Sequence, residues 1–267
     1  MAGESERPPW PAWYGPVGLV TATWLTLSFV LLLELAGVRS ILPGPAVTIL
    51  QAAVQDAILV GTALFLASRT ARPRASHFGL GPAPLERAIA WAGRALLAYF
   101  AFLLVARAYE AVFHPSGEQR IVEALGADRG LFWLAVGGVL VIVIAPVAEE
   151  LFFRGFLYGS MRGRLGAPGA AVASSAIFGL VHFTSAQTLS LLPLLAILGL
   201  LFCLLYERTG SLYPGIALHA LNNSVAYAGL GFTRSIEGAV AVGAGLGVAM
   251  LAASVAAPAL GGALRRT

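Results

Sequence analysis

Eight stretches of about 20 apolar residues, each long enough to cross the roughly 30 Å hydrocarbon core of a bilayer, divide this chain. They run near 16–36, 46–68, 88–109, 130–152, 169–187, 189–206, 212–230 and 239–260. Pro43, Pro45, Pro73, Pro82, Pro84, Pro115 and Pro168 fall between them, where helix breakers belong. The composition agrees, with 58% of residues apolar and only 11% charged, against about 25% charged in an ordinary soluble domain. Mean hydropathy is +0.81. A soluble enzyme and a disordered scaffold are both excluded. The expected fold is an all-α, polytopic integral membrane bundle of about eight transmembrane helices. A cytoplasmic N-terminal tail (1–15), one transmembrane domain (16–260) and a cytoplasmic C-terminal tail (261–267) would make up the chain. The first stretch, with Trp24 and Phe29 inside it, is too long and too well filled for a cleaved signal peptide.

The net charge of +4 comes from 17 Arg and no Lys against 13 acids. These arginines form no continuous basic face, so a nucleic-acid partner is not expected. Arg69, Arg72, Arg74 and Arg87 crowd the 69–87 loop, and Arg154, Arg162 and Arg164 follow the fourth stretch. The 110–129 loop instead carries Glu110, Glu118, Glu123 and Asp128 against Arg120 and Arg129. With Arg265 and Arg266 at the end, the positive-inside rule puts both termini in the cytoplasm, as an even number of spans requires. A multi-pass protein of a bacterial plasma membrane is the expected setting. The single Cys203 permits no intrachain disulfide.

Function should lie in the polar groups kept inside the membrane, because each costs about 2.5–3.5 kcal/mol to insert. Three clusters stand out. Glu149, Glu150 and Arg154 end the fourth span, His182 lies in the fifth, and His219, Asn222 and Asn223 lie in the seventh. At about 100° per residue Glu149 and Glu150 point apart. Glu150 and Arg154 stand at i and i+4 in the order favoured for a helical ion pair, which leaves Glu149 to face the interior as a general base. Pro146 should bend the helix just before them. His219 and Asn223 share a face, and Asn222 points away from it. In depth, Glu149 lies 14 residues before Gly163 and His182 lies 14 after Pro168, so both sit about 20 Å from one turn. His219 lies only nine residues past Gly210, a mismatch that tilt or a broken helix must absorb.

The run Glu149-Glu150-x-x-x-Arg154, then Phe178-x-x-x-His182, then His219-x-x-x-Asn223 resembles the successive motifs of the CPBP intramembrane proteases, the type II CAAX prenyl endopeptidases and their bacterial relatives. The resemblance covers about residues 130–230. It implies an endopeptidase acting on a membrane-bound peptide or lipidated protein, with the residue matching Glu149, helped by that matching His182, activating the water. Those matching His219 and Asn223 would stabilise the oxyanion. Glu150, Arg154 and Phe178 are then supporting residues. Glu149, His182 and His219 could also supply a carboxylate and two histidines to a catalytic Zn2+, although a metal-free mechanism is favoured.

Other membrane proteases are disfavoured by residue type. No HExxH helix is present, the only aspartates are Asp56 and Asp128, and no GxSxG-like serine turn lies in an apolar span. A non-catalytic scaffold or bacteriocin-immunity protein of the same fold is the alternative, and a small-solute transporter is less favoured because no matching halves are visible. Gly155, Gly159 and Gly163 should permit close helix packing. Arg94 is a candidate partner for Asp56, which shares a polar stripe with Gln51 and Gln55.

Overall fold

In the computed structural model, residues 8–81, 85–113, 122–183 and 186–231 are described. Helices dominate these residues, and no strand occurs among them. The principal helices are α1 (Tyr14–Leu35), α2 (Gly44–Ser68), α3 (Leu85–Phe113), α4 (131–165), α5 (167–180), α6 (Leu192–Thr209) and α7 (Tyr213–Gly231). Five helical runs are long and apolar enough to cross a bilayer, one of them the 50-residue run Leu131–Leu180 that Gly166 divides into α4 and α5. Large apolar side chains such as Trp24, Leu31, Phe100, Leu104, Phe132 and Val172 face outward, as lipid contact requires. The eighth expected span, 239–260, and the C-terminal tail lie outside the described residues, as do His114 and Arg120.

α4 does not end at residue 152. It continues to Leu165, about 50 Å of helix, and stops only where Gly166 adopts φ 69° ahead of Pro168. Two π-helical segments interrupt it, Leu140–Ile144 and Leu151–Tyr158, on either side of the turn Ala145–Glu150 that carries both glutamates. The first ends two residues before Pro146, which has no N–H to give the helix ladder and is accommodated by the wider turn. The greater length of α4 changes the charge count. Arg154 is not a loop cation but is fully buried, and Arg162 binds Glu207 on α6 from within the helix. α5, by contrast, ends at Leu180, short of the expected 187.

The depth mismatch at His219 is resolved by a deep connection rather than by tilt. Leu212, just before α7, donates its N–H to the Gly79 carbonyl, and Ser211 donates to the carbonyl of Gly81. A Cβ on Gly155 would stand 2.7 Å from the Phe78 carbonyl and 3.4 Å from Leu212. The start of α7 is therefore level with Gly155, well inside the end of α4. Seven residues along α7 bring His219 about 10 Å deeper, and five residues back along α4 bring Glu150 about 8 Å deeper. The two meet.

Two packing expectations need correction. Gly155 and Gly159 admit the Ala75–Phe78 turn and Pro8, not another transmembrane helix, and Gly163 has open space beside it. Arg94 does not pair with Asp56. Its guanidinium lies over the Trp91 ring, 4.9 Å from the centroid, while Asp56 Oδ2 is buried with no hydrogen-bond partner.

Candidate active site

The site lies where α4, α5, α6 and α7 meet. On α4, Arg154 Nη1 donates to Glu150 Oε1 at 2.8 Å, the ion pair that the i,i+4 spacing predicts. Its Nη2 donates to the Gly199 carbonyl on α6 at 3.1 Å. The guanidinium is packed between the Phe178 and Phe202 rings, 4.5 and 4.9 Å from their centroids, so a charge that would be costly in lipid has both hydrogen bonds and aromatic faces around it.

His219, on α7, touches both glutamates. Its Nδ1 stands 3.1 Å from Glu150 Oε1, and its Nε2 stands 3.7 Å from Glu149 Oε2. The carboxylates do point apart on their own helix, yet one imidazole reaches both because its two nitrogens lie on opposite sides of the ring. The ring stacks on Phe202 at 4.8 Å and meets the edge of Phe178 at 5.8 Å. Glu149 differs from Glu150 in access. Its side chain keeps 15% exposure against 1%, although Oε2 of each glutamate is buried with no hydrogen-bond partner. The carboxylate not held by Arg154 is also the one whose side chain keeps some exposure.

His182 lies in the turn just after α5, with Nδ1 2.7 Å from the Phe178 carbonyl. Donation to that carbonyl holds the proton on Nδ1 and leaves Nε2 as the ring's acceptor. Among the described residues His182 forms no ion pair with a carboxylate, so the structure does not bring it into direct contact with Glu149. Asn223 Nδ2 donates to the Val141 carbonyl at 2.9 Å, inside the first π-helical segment of α4. Asn222 faces elsewhere, accepting from Tyr99 Oη on α3 and donating to Asn223 Oδ1.

Several members of the site carry no motif signature. Gly199 gives a carbonyl to Arg154 and leaves no room for more, since a Cβ there would stand 3.2 Å from Nη2. A Cβ on Gly215 would stand 3.2 Å from Glu150 Oε2. Phe202 is the shared aromatic floor of Arg154 and His219. Only the spacing of Gly199 and Gly215 opposite charged side chains marks them, and that spacing is invisible before the helices are paired.

The zinc set allowed by the sequence is not assembled. Among the described residues no three His, Cys, Asp or Glu side chains gather into a metal-holding group. Both nitrogens of His219 are directed at carboxylates, and Nδ1 of His182 is taken by a backbone carbonyl.

Residues 131–225 match the family model described as type II CAAX prenyl endopeptidase Rce1-like. The glutamates, Arg154, both histidines and both asparagines of the site all fall within that range. Two curated proteins of Bacillus subtilis (strain 168) are similar to the chain. "Uncharacterized protein YyaK" is 29% identical over 133 residues, which is 48% of this chain and 43% of that protein. "Putative membrane peptidase YdiL" is 32% identical over 82 residues, 31% of this chain and 32% of that one. The chain thus spans less than half the length of the curated relatives it matches. No solved structure matches it. The matched residues begin with α4 and leave α1, α2 and α3 outside the match.

Proposed function

We propose that this chain is a membrane endopeptidase that hydrolyses a peptide bond of a membrane-associated, CAAX-type substrate with water activated by Glu149. The observation that carries this reading is the contrast between two adjacent carboxylates. Glu150 is fixed through Oε1 by Arg154 and His219, whereas Glu149 has no arginine partner and stands 3.7 Å from His219 Nε2 on a side chain that keeps 15% exposure. Water bound at Oε2 gives its proton to Glu149 as its oxygen attacks the scissile carbonyl, and Glu149 then returns that proton to the leaving amine. His182, with its acceptor nitrogen free, assists in holding the water. The developing oxyanion takes hydrogen bonds from the second N–H of Asn223 and, when the ring is doubly protonated, from His219 Nε2. Glu150, Arg154 and Phe178 hold His219 in place. The arginine-rich 69–74 loop shares its end of the bundle with Trp10, which packs on Phe78, and that end would face the cytoplasm.

The test uses the full chain in proteoliposomes with a fluorescence-quenched, prenylated CAAX-type peptide. Wild type should cleave it. Glu149→Gln, equal in shape but unable to take the proton, should lose about 10²-fold or more in kcat with the unfolding temperature unchanged. Full turnover by Glu149→Gln would remove Glu149 from the base role.

A further inference from the structure

Two arginines from different helices meet at one aromatic ring. Arg94 lies on α3 and Arg208 on α6, and each guanidinium carbon stands 4.9 Å from the centroid of the Trp91 ring. The two cations are therefore no more than twice that distance apart. Among the described residues neither forms an ion pair or donates a hydrogen bond. Glu207, the acid next to Arg208 in the chain, is taken up by Arg162 and Tyr158. Trp91 is held in place by packing against the core where α3 meets α6. Like charges gathered at one ring repel, and an indole face offsets only part of that. A guanidinium lying on an aromatic face still presents its N–H edge, whose fork matches a phosphate.

The depth of this cluster is that of lipid headgroups. Trp91 and Arg94 lie two and five residues into the apolar run Ile89–Phe113, and Arg208 lies one residue before the end of the run Thr188–Thr209. The connection after α6 is bonded to Gly79 and Gly81, so this is the end of the bundle that carries the arginine-rich 69–74 loop. Toward the bilayer centre each helix continues the same face in exposed apolar side chains. Arg94 is followed three and eleven residues on by Leu97 and Val105, and Arg208 is preceded four and eleven residues back by Leu204 and Ile197. Because α3 and α6 pack together, the two stripes run down either side of one seam.

We propose that the α3–α6 seam binds an anionic phospholipid, with its phosphate between Arg94 and Arg208 beside Trp91 and its acyl chains along the two stripes. Charge complementarity selects the occupant. Two cations without carboxylate partners at headgroup depth call for an anion, and apolar walls leading from them into the bilayer call for acyl chains on the same molecule. A free phosphate meets only the first of these requirements. The bound lipid ties α3, which lies outside the matched residues 131–225, to α6, which lies inside them and carries Phe202 beneath Arg154 and His219. This role is independent of the hydrolytic chemistry, since neither arginine touches the glutamates.

The experiment uses the full chain in detergent, with native mass spectrometry counting the phospholipids each molecule retains and unfolding temperatures measured alongside. Phosphatidylglycerol, phosphatidylcholine (whose choline cation cancels the phosphate charge) and inorganic phosphate are titrated in about 0.3 M salt, where the screening length falls to roughly 6 Å. Wild type should retain one phosphatidylglycerol about 25-fold more tightly than phosphatidylcholine, roughly 5-fold for each arginine. Arg94→Gln with Arg208→Gln should erase that preference and leave the lipid-free unfolding temperature unchanged. Arg69→Gln with Arg72→Gln removes the same charge from the loop at the same end and should keep the preference within about 2-fold. A wild type that binds the two lipids equally overturns the proposal, as does a loss in the loop pair as large as in the Arg94–Arg208 pair. Inorganic phosphate that raises the unfolding temperature as much as phosphatidylglycerol does also overturns it, by making the site one for a free anion. If the double variant unfolds early, Arg208→Gln alone decides. It must lose about 5-fold in phosphatidylglycerol affinity, and wild-type affinity there overturns the proposal.

Discussion

His219 binds Glu150 through the same carboxylate oxygen that Arg154 holds, with Nδ1 at 3.1 Å and Nη1 at 2.8 Å from Oε1. A single buried oxygen thereby joins α4 to α7, and Arg154 carries the connection on to the α6 backbone at Gly199. The arrangement divides labour between neighbouring acids. Glu150 fixes the imidazole's height and tilt, and Glu149 stands against that imidazole's other nitrogen, Oε2 3.7 Å from Nε2.

Stability should separate the two glutamates. Removing one partner of a buried ion pair leaves the other charge unpaired, at about 3–5 kcal/mol, so Glu150→Ala and Arg154→Ala should each lower the unfolding temperature in detergent sharply. Glu149→Ala removes an acid whose Oε2 bonds nothing and should be as stable as wild type or more so. Thermal unfolding of the three variants side by side checks the assignment. A Glu150→Ala protein of native stability that has lost cleavage would reverse the roles of the two acids.

Gly199 should be intolerant of any side chain although it touches no substrate. A methyl there meets Ser175 Cβ at 3.1 Å and Cα at 3.2 Å as well as Arg154 Nη2 at 3.2 Å. Backbone on one side and a pinned guanidinium on the other leave little room to give, so Gly199→Ala should cost about 1–3 kcal/mol, the usual range for overpacking. Gly163→Ala, with open space around it, is the control and should unfold at the wild-type temperature.

The helices and the Glu150–Arg154 pair were legible in the sequence because length, hydropathy and i,i+4 spacing are local properties. The extent of α4 was not. Arg154, Arg162 and Arg164 read as a loop when charge alone is counted, yet Arg154 is matched by Glu150 and Arg162 by Glu207, which lies 45 residues away on α6. Facing angles were approximate for a related reason. They assume an unbroken 3.6-residue turn, whereas π-helical segments flank both glutamates. The depth of His219 depended on the Gly79–Leu212 bond, a contact between distant segments that no periodicity records. Asp56 was visible as an acid in a polar stripe with Arg94 as its candidate partner, and only the packed helices show Arg94 turned to the Trp91 ring instead.

His182 should act on the chemistry and not on the fold. Its ring makes one hydrogen bond, to a backbone carbonyl at the end of α5, and pairs with no acid among the described residues. His182→Ala should therefore change stability by no more than about 1 kcal/mol, the net value of one hydrogen bond. The loss in kcat should be about 10²-fold, the low end for removing an acid–base group. A kcat within a few-fold of wild type would show that Glu149 activates water without it.

Asn223 and Asn222 stand next to each other on α7 and should give opposite results. Asn223 Nδ2 donates to Val141, in the π-helical segment two turns before Glu149, and that amide has a second hydrogen to offer. Asn222 instead ties Tyr99 on α3 to Asn223 and has no direct contact with the glutamates. Asn222→Leu should cost stability, about 1 kcal/mol for the hydrogen bond it breaks, and leave kcat within a few-fold of wild type. Asn223→Leu should lower kcat by about 10²–10³-fold, the usual cost of one oxyanion donor. Asn223→Asp is the sharper variant. It keeps the volume but sets a carboxylate oxygen against the Val141 carbonyl and presents an acceptor where the oxyanion forms, so it should lose both cleavage and stability. If Asn223→Asp cleaves as well as wild type, Asn223 serves only to tie α7 to α4, and the oxyanion must rely on His219.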